Sequence, residues 1–308
     1  MLKLTFLGAT QTVTGSRFLI QYRKKKILID CGLFQGTKQN RLRNWDPFPI
    51  SPDSIDSVFL THAHIDHTGY LPRFCKDGFT GKIYATRATH ALCELLLRDS
   101  AHLQEEDAAW ANKKGFSRHK PALPLYTVQD AENSLDFFHP VNYGDDIFID
   151  SAMRFKYRDA GHILGSTFID VKVNTPKGYQ KIVFSGDLGR PRREVLRDPS
   201  QPFNVDYLVL ESTYGNRLHE DNHPEEQLAK VINESVERGG VLLIPAFAVG
   251  RTQTLLFVIR ELEKSGKIPT IPVFVDSPMA IDTTKIFRQH IAEMNISARV
   301  LTLQGEKI

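Results

Sequence analysis

Short apolar runs, several of them separated by glycine turns, dominate the first 190 residues. Runs of this length bounded by turn residues are typical of strands. The predicted strands lie at residues 2–7, 17–21, 26–29, 57–60, 82–85, 153–157, 167–173 and 181–184. Leu92, Leu95, Leu96 and Leu103 recur at roughly helical spacing and predict a helix over residues 89–110. Sheets with helices outside them indicate a layered α/β sandwich.

The pattern changes at residue 206, after which strand-like and helix-like segments alternate. The predicted order is strand 207–210, helix 224–238, strand 241–244, helix 251–264 and strand 272–275. Such alternation is typical of parallel strands joined by crossover helices. We therefore expect one domain over residues 1–205 and a second, incomplete one over residues 206–308.

Composition is that of an ordinary globular protein, with 41% hydrophobic and 24% charged residues in a chain of 308. No apolar run approaches the roughly 18 residues that a membrane-spanning helix needs, so no membrane association is expected. Three cysteines without zinc-finger spacing indicate reduced thiols, and we expect a cytoplasmic location. A net charge of +3 is too small to argue for nucleic acid by itself.

Candidate metal ligands cluster directly after the run at residues 57–60, where His62, His64, Asp66 and His67 fall within six positions. Imidazole and carboxylate ligands together suit a divalent metal such as zinc. In an extended chain His62 and His64 point the same way and can share one ion, which leaves Asp66 and His67 for a second. The alternative is a polar surface loop, which three clustered histidines disfavour.

A two-metal site needs more ligands, and His162 and Asp187 are the best candidates. Each lies between glycines at the end of a strand-like run. A turn residue is the alternative for each. Asp30 also ends a predicted strand, where its carboxylate could orient a metal-bound histidine by accepting its second ring proton. For Asp30 the alternative is a helix or turn cap.

These residues resemble the metallo-β-lactamase superfamily, in which Asp30 matches the first motif. A later segment, residues 208–215, resembles the entry to the β-CASP insertion of the nucleic-acid-processing branch. The nearest resemblance is to bacterial and archaeal relatives of the nuclease subunit of the cleavage and polyadenylation specificity factor. Further matching stretches lie at residues 245–253 and 276–280. The resemblance implies an αββα metallo-β-lactamase sandwich with an incomplete parallel α/β β-CASP domain.

The resemblance also implies roles for single residues. His62, His64 and His162 would hold one zinc ion, Asp66 and His67 would hold the second, and Asp187 would bridge the pair. Glu211 matches a carboxylate that lies near the metals and pairs with a later histidine. Members of the family continue well beyond Ile308, so we expect a fragment or shortened copy that lacks the segment returning to the first domain. Binding of the second zinc ion is then expected to be weak or absent.

The implied activity is hydrolysis of RNA phosphodiester bonds by a two-metal mechanism, with Asp66 and Glu211 as catalytic residues. Cleavage is expected to be endonucleolytic, with trimming from an end as a further mode. RNA is the expected partner, and a second copy of the chain in a homodimer is another candidate. Two alternatives stay open: a non-catalytic RNA-binding scaffold, and a small-molecule metallo-hydrolase of the same superfamily.

Basic residues form three local clusters, at residues 23–26, 113–120 and 190–197. The first fits a solvated hairpin turn. The second contains Phe116, and for it phosphate contact and plain solvation are equally compatible with the sequence. Arg190, Arg192 and Arg193 follow Asp187, which favours a role near the substrate, and Arg190 and Arg192 are the candidates for contact with its phosphate. Arg251 begins a predicted helix, where it could hold a phosphate or pair with a carboxylate.

Overall fold

The computed structural model describes residues 1–218 and 224–295. They form two compact units. The first holds Met1–Ala160, Gly165–Leu188 and Ser200–Glu211. The second holds, among the described residues, 161–164, 189–199, 212–218 and 224–295. No helix in these described ranges is long and apolar enough to span a lipid bilayer.

The first sheet of the first unit has six strands whose spatial order follows the chain. The strands are β1 (Lys3–Phe6), β2 (Phe18–Tyr22), β3 (Lys25–Ile29), β4 (Ser57–Phe59), β5 (Lys82–Thr86) and β6 (Phe138–Val141). The pairs β1–β2 and β2–β3 are antiparallel, whereas β3 to β6 run parallel. The carboxyl ends of these parallel strands therefore meet at one edge of the sheet.

The second sheet has five strands in the order β11-β10-β9-β8-β7. They are β7 (Asp146–Phe148), β8 (Met153–Asp159), β9 (Thr167–Thr175), β10 (Gly178–Phe184) and β11 (Tyr207–Val209). All neighbours pair antiparallel except β10 and β11, which run parallel. The segment predicted to open the second domain is thus a strand of this sheet. The boundary between residues 205 and 206 stays a prediction.

Helices of the first unit are α1 (Lys38–Leu42), α2 (Ile65–Thr68), α3 (Leu71–Lys76), α4 (Arg87–Lys114) and α5 (Val128–Leu135). α4 packs against β5, β6, α2 and α5. It is longer at both ends than the predicted helix because Thr86 caps its start and Gly115, with a φ of 68°, ends it in the left-handed region.

An apolar core fills the space between the two sheets and fixes their packing. The ring of Phe59 on β4 stacks on Phe155 of β8, with 4.0 Å between the centroids, and on Tyr84 of β5 at 4.7 Å. The hydroxyl of Tyr157 donates to the carbonyl of Tyr84 over 2.8 Å. Ile27, Val171 and other apolar residues of both sheets complete the core. The predicted α/β sandwich is confirmed.

The second unit contains α6 (Pro224–Glu237), α7 (Arg251–Lys264) and α8 (Pro278–Gln289), and the two helices predicted near residues 224 and 251 are confirmed. Ile232 of α6 packs with Ile259 and Leu262 of α7 in a small core. The strands predicted at residues 241–244 and 272–275 are wrong, since both segments are irregular. Their apolar side chains are largely exposed, 84% for Leu243 and 86% for Phe274, because no neighbouring strand covers them among the described residues.

The Phe155→Ala substitution should destabilise the protein by about 3–5 kcal/mol, because it leaves a cavity between the two sheets. Urea unfolding followed by circular dichroism measures the change. Phe148, which is 66% exposed on β7, provides the matched control. Its replacement by alanine should change stability by no more than about 0.5 kcal/mol. Equal losses in the two variants would show that the space between the sheets is not the stabilising core.

Candidate metal centre

The loop after β4 carries four of the predicted ligands. Residues 60–63 are buried, and His62 is fully enclosed. His64 directly precedes α2, and Asp66 and His67 lie within that short helix. The central position of β4, with parallel neighbours on both sides, places this loop at the carboxyl edge of the first sheet.

Asp187 comes from the other sheet, three residues after Phe184, the last residue of β10. Gly186 lies between them with a φ of 52°, and a Cβ atom there would be 2.6 Å from the Cβ of Thr61. Only glycine permits this close approach of the two loops. The absence of one side chain therefore allows Asp187 to reach the histidines of the first sheet.

The first group of ligand atoms centres on His62. Its Nε2 lies 3.0 Å from Nδ1 of His64 and 3.7 Å from Oδ2 of Asp187. His62, His64, His162 and Asp187 each offer one ligand atom, and these atoms lie within 4.8 Å of one another. The loop that carries His162 is closed at its base by the hydrogen bond from the N–H of Ala160 to the carbonyl of Ser166 over 3.1 Å.

The second group centres on His67. Its Nε2 lies 3.3 Å from Oδ1 of Asp187 and 3.9 Å from Oδ2 of Asp66, and the hydroxyl of Ser16 is 3.4 Å away. Asp187 thus turns one carboxylate oxygen toward His62 and the other toward His67. The structure brings together all six predicted ligands in these two groups.

Asp30 lies behind the ligands and is fully buried. One oxygen accepts the N–H of Thr61 over 2.7 Å, and the other lies 2.8 Å from both the Thr61 hydroxyl and Nδ1 of His67. A proton on Nδ1 of His67 that is donated to Asp30 leaves Nε2 free to face Asp66 and Asp187. This is the contact that the predicted orienting role of Asp30 requires.

Electrostatics at the site favour a cation. Burial opposes protonation of His67, but the carboxylates of Asp30 and Asp187 outweigh it and raise the pKa of His67 well above its ordinary value. Burial, partly opposed by the hydrogen bonds from His67 and Thr61, raises the pKa of Asp30. Burial lowers the pKa of His64, which favours the neutral imidazole that a metal ligand must be.

Comparison with known proteins identifies the family. Residues 13–224 match the model of the metallo-beta-lactamase superfamily. The chain belongs to the metallo-β-lactamase superfamily. Residues 252–307 match the Beta-Casp domain, so the resemblance to the β-CASP branch is also confirmed.

Curated relatives of this member of the metallo-β-lactamase superfamily come from bacteria, archaea and animals. Ribonuclease TTHA0252 of Thermus thermophilus is 33% identical over 306 residues, 99% of this chain and 65% of that protein. Transcription termination factor FttA of Methanothermobacter thermautotrophicus is 33% identical over 283 residues, 89% of this chain and 42% of that protein. Cleavage and polyadenylation specificity factor 73 of Drosophila melanogaster is 30% identical over 303 residues, 96% of this chain and 41% of that protein.

The chain thus spans less than two-thirds of the length of these three relatives. Among solved structures, a protein of unknown function from Enterococcus faecalis V583 has a similar fold, with a TM-score of 0.53 and 15% sequence identity. The alignment covers 93% of this chain and 68% of that one.

The donor set of this superfamily member fits divalent metal ions. Ligand atoms that bind zinc at 2.0–2.2 Å in a tetrahedral site are separated from each other by about 3.3 Å. The separations from His62 to His64 and from His67 to Asp187, 3.0 and 3.3 Å, are close to that value. Imidazole nitrogens with carboxylate oxygens are the ligand types that such ions bind.

Thr61 is a residue of the site that the sequence did not reveal. Its hydroxyl lies 2.8 Å from Asp30 Oδ2, 3.0 Å from His62 Nδ1 and 3.3 Å from His67 Nδ1. The Thr61 hydroxyl therefore contacts Nδ1 of one histidine in each ligand group. In the sequence, Thr61 is recognisable only as a hydroxyl residue directly before the first histidine of the cluster. Its hydrogen-bond partners are known only from the structure.

Glu211 contacts the loop that carries Asp187. Its Oε1 accepts the backbone N–H of Leu188 over 2.8 Å, and its own N–H donates to the hydroxyl of Ser185 over 3.0 Å. Glu211 therefore binds this loop on both sides of Asp187. The geometry supports a positioning role, and the catalytic role inferred from the resemblance stays a prediction.

The arginines predicted to contact phosphate all belong to the second unit. Burial, and then the like charges of Arg251 and Arg190, lower the pKa of Arg193. Arg193 was predicted, with Arg190 and Arg192, to lie near the substrate, and that role stays a prediction. Arg192 is exposed in a turn with a φ of 61°, where its N–H donates to Asp198 over 2.6 Å. Phosphate binding by Arg190, Arg192 and Arg251 stays a prediction.

The Thr61→Val substitution should lower zinc affinity by about tenfold or more, because the hydroxyl that orients both histidines is lost without a change of size. Thr61→Ser keeps the hydroxyl and should retain affinity within about threefold. Competition with a fluorescent zinc chelator measures both values. Equal affinity in the two variants would contradict the orienting role of the hydroxyl.

Replacement of Glu211 tests whether its hydrogen bond to Leu188 positions the loop that carries Asp187. Glutamine keeps an oxygen that accepts the Leu188 N–H, so Glu211→Gln should bind zinc as the parent does, whereas Glu211→Ala should bind it about tenfold more weakly. The zinc competition assay again gives the affinities. If Glu211→Gln binds zinc as weakly as Glu211→Ala, the hydrogen bond to Leu188 is not the important contact.

Proposed function

We propose that this chain belongs to a zinc-dependent ribonuclease that hydrolyses phosphodiester bonds with two metal ions. The placement of Asp187 carries the proposal. Its two oxygens face His62 at 3.7 Å and His67 at 3.3 Å, so one carboxylate serves both ligand groups. A shared carboxylate of this kind is expected where two ions lie about 4 Å apart and act on the same phosphate.

The ligands divide into two sets around that carboxylate. His62, His64 and His162 would hold one zinc ion, and Asp66 and His67 would hold the other, with Asp187 common to both. When bound, the two ions would supply Lewis acidity at the attacking water and at the phosphate oxygens. The protein would then have to orient the water and manage its proton.

Asp66 is the residue best placed for that task. Its side chain is 20% exposed at the surface of the site, whereas that of His67 beside it is 5% exposed. One carboxylate oxygen faces His67, which leaves the other to orient the attacking water and accept its proton. Asp30 would keep His67 in the required orientation, and Glu211 would hold the loop of Asp187.

RNA is the substrate that the relatives favour. One of them is named as a ribonuclease and another as a cleavage and polyadenylation factor. The match to the Beta-Casp domain disfavours a small-molecule hydrolase, which lacks that insertion. Retention of all six predicted ligands disfavours a scaffold without catalysis. We propose endonucleolytic cleavage, with trimming from an end as a second mode.

The Asp66→Ala substitution in the full-length, zinc-loaded protein should lower cleavage of labelled RNA by about 100-fold or more. A circular RNA substrate tests the endonucleolytic mode, because an exonuclease has no end from which to start. Asp53→Ala, which removes an exposed carboxylate from a surface turn, should leave the rate unchanged. Equal cleavage by the Asp66 variant and the parent protein would refute the assignment, and an intact circle would refute endonucleolytic action.

A further inference from the structure

The carboxyl end of α4 forms a projecting tip, residues 110–122. α4 ends where the N–H of Gly115 donates to the carbonyl of Ala111 over 2.9 Å. The chain then returns to the helix at Ala122, whose N–H and carbonyl form hydrogen bonds of 2.7 and 2.9 Å with the side-chain amide of Asn112. This double contact closes the base of the tip and presents its residues to solvent.

Two aromatic rings are exposed on the tip. Trp110 is 57% exposed and Phe116 is 60% exposed, and their centroids lie 4.9 Å apart at an interplanar angle of 63°. Exposed aromatic rings that contact each other form an apolar surface of the kind that binds a partner. Neither ring belongs to the buried residues of α4, which include Leu92 and Leu97.

The same tip carries four exposed cations, namely Lys113, Lys114, Arg118 and Lys120. None of them lies within 4 Å of a carboxylate among the described residues, whereas Lys25, Arg73 and Lys76 of the same unit are paired with aspartates. The positive charge of the tip is therefore available to a partner with several negative charges.

We propose that the α4 tip binds single-stranded RNA outside the metal centre. Proteins that bind single strands without strong sequence preference combine aromatic faces, on which bases stack, with cations along the phosphate backbone. An acidic protein would match the charge but would not require two exposed rings. The proposal rests on the proposed ribonuclease function only for the identity of the nucleic acid.

The length of α4 determines which RNA molecules can use this site. At its start, the hydroxyl of Thr86 donates over 2.8 Å to the carbonyl of Gly165, at the base of the loop between β8 and β9. The 28 residues of α4 then extend for about 42 Å. A strand stacked at about 3.4 Å per nucleotide needs on the order of ten nucleotides to cover that distance. The tip therefore assists substrates longer than this and not shorter ones.

Trp110 provides a direct reporter of binding. The chain has two tryptophans, so Trp45→Phe leaves Trp110 as the only indole. This change is combined with Asp66→Ala in the zinc-loaded chain of 308 residues so that the RNA is not consumed. A 20-nucleotide oligouridylate should quench Trp110 fluorescence, and Phe116→Ala should weaken this binding by about tenfold through loss of one stacking contact. Phe148→Ala, an equally exposed aromatic, should have no effect.

Salt dependence tests the cations. Lys113→Ala combined with Lys114→Ala should reduce the slope of log affinity against log salt by about 1.4, since each phosphate contact with a single strand contributes about 0.7. Arg23→Ala combined with Lys24→Ala removes two exposed cations of the β2–β3 hairpin and should leave the slope unchanged.

Unchanged Trp110 fluorescence at saturating RNA would overturn the proposal. Quenching by polyglutamate as strong as that by RNA would overturn it in favour of an acidic protein partner.

The rate of cleavage gives an independent measurement. Phe116→Ala in the otherwise unmodified protein should raise KM about tenfold for a 30-nucleotide RNA and leave KM for a six-nucleotide RNA unchanged, with kcat unaffected for both. An equal change for both lengths would refute binding at a distance. Absence of cleavage by the parent protein would refute the ribonuclease proposal alone, because the fluorescence result would still decide whether the tip binds RNA.

Discussion

The buried carboxylate of Asp30 is the interaction on which the metal centre depends. A carboxylate without water around it is costly unless donors surround it. Here the donors are the N–H and hydroxyl of Thr61 and the ring of His67, all from the loop after β4. The N–H of Asp30 also donates to the carbonyl of Phe59 over 2.9 Å, which continues the pairing of β3 with β4 into the loop. The sheet thereby fixes the position of ligands that lie beyond its last regular residue.

Packing of the two sheets provides the second constraint. Asp187 can lie between His62 and His67 only if β10 and β4 stay in a fixed relation, and the stacked rings of Phe59 and Phe155 bridge the sheets on which those strands lie. The contact of Gly186 with Thr61 then brings the two loops together. Stability resides in the sheets, whereas the ligands lie on loops and on the short helix α2 beyond the strand ends, so the ligands could be exchanged in evolution without rebuilding the core.

Whether the sequence predicted a feature of this structure depends on how far apart in the chain the interacting residues lie. His62, His64, Asp66 and His67 were predicted because they are close in sequence and share a ligand chemistry. The contact of Glu211 with Leu188 spans 23 residues and that of Asp30 with Thr61 spans 31, so no local pattern shows them. The strands predicted at residues 241–244 and 272–275 failed for a similar reason. A short apolar run does not reveal whether a partner strand exists, whereas α6 and α7 form their hydrogen bonds within themselves.

Charge explains why metal binding and RNA binding would be connected. Without ions, the carboxylates of Asp66 and Asp187 at the mouth of the site repel a phosphate group. Two divalent ions would bring four positive charges against these two negative ones and convert the same residues into a phosphate site. Cations remote from the centre face no such reversal, because they attract the RNA backbone whether or not metal is bound. The exposed lysines of the α4 tip would therefore raise the local concentration of RNA, while the bound ions would determine whether a phosphate can enter the centre.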